Sequence, residues 1–242
     1  MADESAFDDV EIPSSSNNLE EFELSQSLAV HSGAVRCLAT DDLGVLLSGS
    51  IDKSVKVFTM NDSGKYDFDR ETTYHDSFVY DIATAPDAYY TCSKDKKIIK
   101  MDKCFNPVAE FLGHEMVVSS VEVIDNETII SGSWDATAKI WDSKTQKELF
   151  KLEGHAHAVK VMPLDNGTIV TGSQDGKIRL WSKTGSFIKE WDAHSDIIRD
   201  FTLVKEIGFA SCSNDGTANV WSMDGSLLQE LNGHDGFIFS IL

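Results

Sequence analysis

The stretch Ser131-Gly132-Ser133-Trp134-Asp135-Ala136-Thr137-Ala138-Lys139-Ile140-Trp141 reads as two β-strands joined by a tight turn. Small and apolar residues run up to Ser133, the Trp-Asp-Ala triplet carries the turn, and residues 137–141 resume a strand-like run. Working outward, residues 117–124 alternate into an earlier strand, Asp125-Asn126 marks another turn, and residues 148–152 supply a fourth strand. Four short strands make one sheet, and one sheet cannot bury both of its faces alone.

The same grammar recurs along the chain. Histidines stand at 31, 75, 114, 155, 194 and 234; aspartates at 52, 95, 135, 175 and 215; and six residues after each Asp comes Phe58, Met101, Trp141, Trp181 or Trp221. A period of ~40–45 residues with these turn signals is the mark of a β-propeller, whose blades cover one another's faces. The parse over 117–153 fits 34–74, 78–112, 157–192 and 196–232, which predicts an all-β chain of five complete blades. Residues 22–29 stand where later repeats have an outer strand, and Gly233-His234 opens a sixth repeat. The expectation is therefore an incomplete propeller over 22–242, a fragment of a larger ring whose first segment closes the last blade.

Residues 1–21 are predicted to be an acidic disordered tail. Of the formal charge of −19, eight acids fall within residues 1–23, where there is no Lys or Arg, which leaves −11 on the rest. Such a stretch buries too little apolar surface to offset its ordering entropy. The acidic balance argues against nucleic acid as a partner, because that binding rests on Lys and Arg neutralising phosphates. No apolar run is long enough for a membrane span, so a cytoplasmic or nuclear home is expected. Cys37, Cys92, Cys104 and Cys212 show no C-x-x-C pairing and read as reduced core thiols. His155 and His157 have no third ligand nearby in sequence, so no metal is expected, and no cofactor fingerprint occurs.

Each repeat aligns a His, a hydroxyl residue, an Asp and an aromatic residue: His114, Ser131, Asp135, Trp141; His155, Thr171, Asp175, Trp181; His194, Ser211, Asp215, Trp221. Serine, histidine and aspartate are the parts of a hydrolase triad. Five evenly spaced copies are instead what a fold needs in every blade, and no G-x-S-x-G elbow is present, so these groups are expected to form buried hydrogen-bond chains without catalysis.

Gly-His at 113–114, 154–155 and 233–234 and Trp-Asp at 141–142 resemble WD repeats, which implies a propeller, a seven-bladed one in the narrower resemblance below, acting as a binding platform. SGSWDATAKIW (131–141), SCSNDGTANVW (211–221) and GHDGFIFSI (233–241) further resemble the phospholipase A-2-activating protein family. That resemblance implies binding of ubiquitin by the propeller in ubiquitin-dependent protein degradation, and recruitment of the AAA segregase valosin-containing protein through C-terminal domains absent from this sequence. A generic WD scaffold of another complex is the alternative. The WD resemblance also implies a partner-binding face at the positions three and five after each His and one before each Asp. Here these include Arg36, Phe78, Tyr80, Val117, Trp134, Lys160, Gln174, Ile197, Arg199, Asn214, Phe237 and Phe239. Their apolar character fits an interface centre, or side chains that merely pack the central channel.

Overall fold

The computed structural model describes residues 24–241; the acidic tail expected at 1–21 lies outside them. The described residues form five four-stranded antiparallel sheets, each in sequential order. Blade 1 comprises β1 (Val35–Thr40), β2 (Leu46–Ser50), β3 (Val55–Met60) and β4 (Tyr66–Thr72). Blade 2 comprises β5 (Val79–Thr84), β6 (Ala88–Ser93), β7 (Ile98–Asp102) and β8 (Pro107–Phe111). Blade 3 has β9 (Val118–Val123), β10 (Thr128–Ser133), β11 (Ala138–Asp142) and β12 (Glu148–Leu152); blade 4 has β13 (Val159–Pro163), β14 (Thr168–Ser173), β15 (Lys177–Ser182) and β16 (Phe187–Asp192). Blade 5 has β17 (Ile198–Val204), β18 (Gly208–Ser213), β19 (Ala218–Ser222) and β20 (Leu227–Leu231).

The inner strands β1, β5, β9, β13 and β17 pack in series, and between the five blades lie four apolar cores. Adjacent residues of a middle strand feed different cores. Tyr89 packs towards blade 1 and Tyr90 towards blade 3; Ile129 packs towards blade 2 and Ile130 towards blade 4. This explains why the middle strands read as continuous apolar runs whereas outer strands such as β12 and β20 are largely exposed. Between β17 and β1 no comparable packing occurs among the described residues.

One sequence expectation changes at the ends. Residues 24–30 do not form a strand. The segment adds no strand to any of the five sheets and hydrogen-bonds to blade 1 through the Gln26 side-chain amide, whose Oε1 accepts from the Tyr66 backbone N–H at 2.8 Å. The opening of the sixth repeat runs along blade 5 without its own sheet: Ile238 N donates to Ser213 O at 3.1 Å and Ser240 Oγ to Asp200 Oδ2 at 2.8 Å. Cys104 also departs from the reading of a core thiol, since it sits exposed in the turn before β8; Cys92 and Cys212 are buried.

The glycine three residues before the Asp has a positional reason. A Cβ at Gly132 would meet the Val159 carbonyl oxygen of blade 4 at 2.2 Å, whereas at Gly49 it would meet the side chains of Cys37 and Val79. Backbone cannot step aside without moving a blade. Gly132→Ala is therefore expected to destabilise the chain by ~1–3 kcal/mol, the usual range for overpacking, and Gly49→Ala by clearly less. Urea unfolding of both variants checks this, and an equal effect would contradict it.

Candidate functional site: the channel mouth and the networks beneath it

In blade 3 the Trp141 indole N–H donates to Ser131 Oγ at 2.8 Å, and Ser131 O–H donates to His114 Nε2 at 2.8 Å. His114 Nδ1–H then donates to Asp135 Oδ2, again at 2.8 Å. The direction follows from the two ends, because an indole can only donate and a carboxylate can only accept. Asp135 accepts further bonds from the Glu115 N–H at 2.9 Å and from the Thr137 N–H and hydroxyl at 3.0 and 2.6 Å. It thus ties the loop before β9 to the β10–β11 turn. The chain repeats in blade 4 through Trp181, Thr171, His155 and Asp175, and in blade 5 through Trp221, Ser211, His194 and Asp215. Blades 1 and 2 make the His–Asp and His–hydroxyl links through His31 and His75 but end on Phe58 and Met101, which donate nothing.

Ser131, Thr171 and Ser211 are fully buried and spend their hydroxyl protons on histidine. A substrate carbonyl cannot reach them. Burial alone would raise the pKa of Asp135, but hydrogen bonds from His114 and Thr137 outweigh it and hold the carboxyl well below the usual range. Asp52, Asp95, Asp175 and Asp215 are lowered in the same way by their bonded partners. His155 is pushed down to about 4 by burial and by the Arg179 guanidinium.

Above these networks the loops form the mouth of the channel. The residue before each Asp donates its N–H to the carbonyl three after the His, as Trp134 does to Val117 at 2.9 Å and Asn214 to Ile197 at 3.0 Å, so these positions abut. Trp134 is 41 % exposed, Phe237 59 % and Phe239 66 %; Gln174 is exposed, and Phe78, Tyr80, Ile197 and Asn214 are half-buried. Val117 is buried. Tyr80 meets Trp134 edge to face at 5.8 Å, the Arg36 guanidinium lies over Tyr80 at 5.1 Å, Lys94 over Phe78 at 4.8 Å, and Arg199 over Phe239 at 5.4 Å.

Local irregularity aims these side chains. In blades 1, 2, 3 and 5 the inner strand carries a β-bulge at Arg36, Tyr80, Ser119 and Arg199, the residue five after the His. A bulge adds one unpaired residue and turns it out of the pleat. Blade 4 has none: Lys160 pairs with Gly172, which is the register place of Cys37, Asp81, Ser120 and Asp200 in the other blades. Lys160 therefore enters the channel instead of standing at the rim. Its Nζ lies 3.5 Å from Asp200 Oδ1 and 3.9 Å from Asp81 Oδ2. Burial would lower its pKa, but Asp81, Asp200 and Glu122 outweigh that and raise it. Burial raises Asp81 against the opposing Lys160 charge, and burial with Asp81 nearby pushes Glu122 up to about 8. The spacing of the sequence did not reveal the bulges or this acid–lysine cluster. Among the described residues no group of His, Cys, Asp or Glu is arranged to hold a metal, and no helix is long and apolar enough to cross a membrane.

The sequence model of the family described as "WD domain, G-beta repeat" matches residues 22–59, 105–142, 146–182 and 185–222. It passes over the second repeat, where Met101 stands for Trp, although that repeat folds as a blade. The crystal structure of the WD40 β-propeller domain of Doa1 superposes with a TM-score of 0.77 at 26 % identity, covering 90 % of this chain and 76 % of that one. Pre-mRNA-processing factor 19 of Oryza sativa subsp. japonica is 32 % identical over 124 residues, 49 % of this chain and 24 % of the relative. The tRNA (guanine-N(7)-)-methyltransferase non-catalytic subunit wuho of Drosophila pseudoobscura pseudoobscura is 35 % identical over 92 residues, 36 % of this chain and 23 % of the relative. The matches span about a quarter of these curated relatives' length.

Two expected outcomes follow from the buried groups. Asp135→Ala strands the His114 and Thr137 donors and should cost ~1–3 kcal/mol for each buried group left unpaired; an unchanged thermal midpoint would contradict this. Glu122 takes its proton at about 8 when folded and at ~4.3 when unfolded. The stability it contributes is full below ~4.3 and is lost as pH rises towards 8. Urea midpoints should therefore fall between pH 6 and 8.5 in the wild type and fall less in Glu122→Gln.

Proposed function

We propose, from the premise that this chain belongs to the WD-repeat family, that it is a non-catalytic adaptor whose propeller face binds ubiquitin in ubiquitin-dependent protein degradation. The observation that carries the reading is the edge-to-face pair of half-buried Tyr80 and exposed Trp134 at the channel mouth, on a cavity that exposed Phe239 also lines, in a fold similar to the Doa1 propeller. Doa1 is a homologue of the phospholipase A-2-activating protein family, the family whose repeat order this sequence resembles. Aromatic anchors surrounded by arginine and polar residues are the composition of an interface centre. Ubiquitin offers an apolar patch ringed by basic side chains, and a platform with a formal charge of −19 attracts it at long range. The same charge speaks for a protein partner over nucleic acid, and the cytoplasm or nucleus is the compartment this role requires. Recruitment of the AAA segregase would rest on domains outside this sequence.

The buried hydroxyls of the five networks support a role without catalysis, because no nucleophile there is open to a substrate. The names of the relatives favour a second reading, a scaffold for another assembly: a pre-mRNA-processing factor and a non-catalytic methyltransferase subunit share the repeat.

Titrating labelled ubiquitin with the chain, followed by NMR, tests the first reading. The expected result is fast-exchange shifts centred on one ubiquitin patch, weakening with salt. Trp134→Ala should lose ~2 kcal/mol if Trp134 is a hot spot. No shifts with the folded wild type would leave the scaffold reading, and equal shifts with both proteins would move the site off Trp134.

A further inference from the structure

The sequence holds four arginines. Arg70 pairs with Asp69 at 2.7 Å, and Arg179 with Glu190 at 2.8 Å. Arg36 and Arg199 have no carboxylate partner among the described residues, although acids outnumber bases by 40 to 21 in this chain. Both stand on bulges at the same repeat position, on blades 1 and 5, and both line one cavity of about 240 Å³ at the channel mouth. Each guanidinium carbon lies over an aromatic ring, Arg36 over Tyr80 at 5.1 Å and Arg199 over Phe239 at 5.4 Å. Arg199 is further oriented by its Nε–H bond to Asn214 Oδ1 at 2.7 Å. These ring contacts leave guanidinium N–H groups of both arginines to donate, since the Arg199 Nε–H bond to Asn214 is the one side-chain hydrogen bond either makes among the described residues.

We infer that this mouth is a carboxylate subsite, in which Arg36 and Arg199 receive one acidic group presented by the bound partner. The inference rests on reading this face as the partner-binding face and adds the chemistry it selects. The floor of the cavity does not compete for the arginines: Asp81 and Asp200 already share Lys160, which the missing bulge of blade 4 delivers into the channel. Two guanidinium forks match the planar geometry of a carboxylate. The cavity is smaller than the ~300–1,000 Å³ of ordinary small-molecule pockets, so it takes a side chain or a chain terminus and not a larger ligand. A phosphate dianion is disfavoured, because the field of a chain at −19 and the two aspartates beneath repel a doubly charged group more than a singly charged one. Tyr80 and Trp134 border the same cavity, which gives the residues flanking the carboxylate an aromatic bed.

The test uses the 1–242 chain and four dye-labelled octapeptides, otherwise uncharged, read by fluorescence polarisation up to millimolar protein. One has an internal Glu and an amidated end, one a Gln and a free terminal carboxylate, one a Gln and an amidated end, and one a phosphoserine and an amidated end. A carboxylate peptide should bind at least tenfold more tightly than the uncharged one, and whether the side-chain or the terminal form does so identifies the source. Arg36→Gln and Arg199→Gln should each remove most of that preference, and the Lys variants should restore only part of it, since lysine lacks the fork. Circular dichroism melts confirm that each variant folds, and the Lys variants keep the comparison available if a Gln variant does not. Equal binding of all four peptides, no binding of any, retention of the preference in the Gln variants, or a phosphoserine peptide binding best would each overturn the inference. Ubiquitin titrations separate it from the broader reading: shifts that persist unweakened in Arg36→Gln and Arg199→Gln sink the subsite alone, whereas a carboxylate preference without any ubiquitin shift sinks the ubiquitin reading alone.

Discussion

A buried imidazole needs partners for both of its nitrogens, and in this protein that requirement is met five times in the same way. The side chains of His31, His75, His114, His155 and His194 are at most 5 % exposed. Each Nδ1–H is given to an aspartate and each Nε2 takes a hydroxyl proton. In a medium of low dielectric an unpaired member would cost as much as the link contributes, so the chain is stabilising only when complete. Completeness in turn fixes geometry: the aspartate sits in the hairpin turn between the second and third strands, the hydroxyl on the second, the indole on the third and the histidine on the loop entering the first. One network therefore clamps three strands of a blade, and the apolar cores between blades can form because each sheet arrives already shaped.

The blades are alike in these clamps and unlike at the axis. The residue five after the histidine is free to vary because a bulge removes it from the ladder, and across the blades it is arginine, tyrosine, serine and arginine. Where the bulge is lost, the corresponding residue is a lysine, and it lands among carboxylates that would otherwise face one another across the channel. The floor's carboxylates thereby share a cation of their own, and the arginines at the rim are left for something outside. The contrast between Lys160 and Arg199, one position apart in register and opposite in role, arises from backbone and not from side-chain type.

Much of the fold was legible because it is written in periodic form. Strand boundaries, blade count and the His–hydroxyl–Asp–Trp alignment all follow from spacing, and the second blade was readable despite Met101 because its Asp95 and Thr91 keep their places. The axis was not legible for a definite reason. The His-to-Asp interval is 20 residues in both the second and the fourth repeats and 21 in the others. In blade 2 the missing residue comes out of the hairpin turn, where only residues 85–88 lie between Thr84 and its partner Tyr89. In blade 4 it comes out of the bulge. Spacing records that a residue is absent, and only pairing records where, so the sequence grouped Lys160 with the partner-face positions without showing that it reaches the carboxylates of the channel. Val117 was grouped with the same positions by its offset from a histidine, and an offset carries no statement about burial, which the structure shows for this side chain.

Among the described residues four cores join five blades in series, a quasi-one-dimensional row, and that has a kinetic meaning for the 1–242 chain. Each interior blade is held on two sides, whereas the first and fifth are each held by one core among the described residues. In such an array the free energy of opening is a sum of local and nearest-neighbour contributions. Amide exchange protection in the 1–242 chain should therefore be deeper in β6, β10 and β14 than in β2 and β18, even though these strands are similarly buried. Identical local structure would then report different opening rates solely through its place in the row.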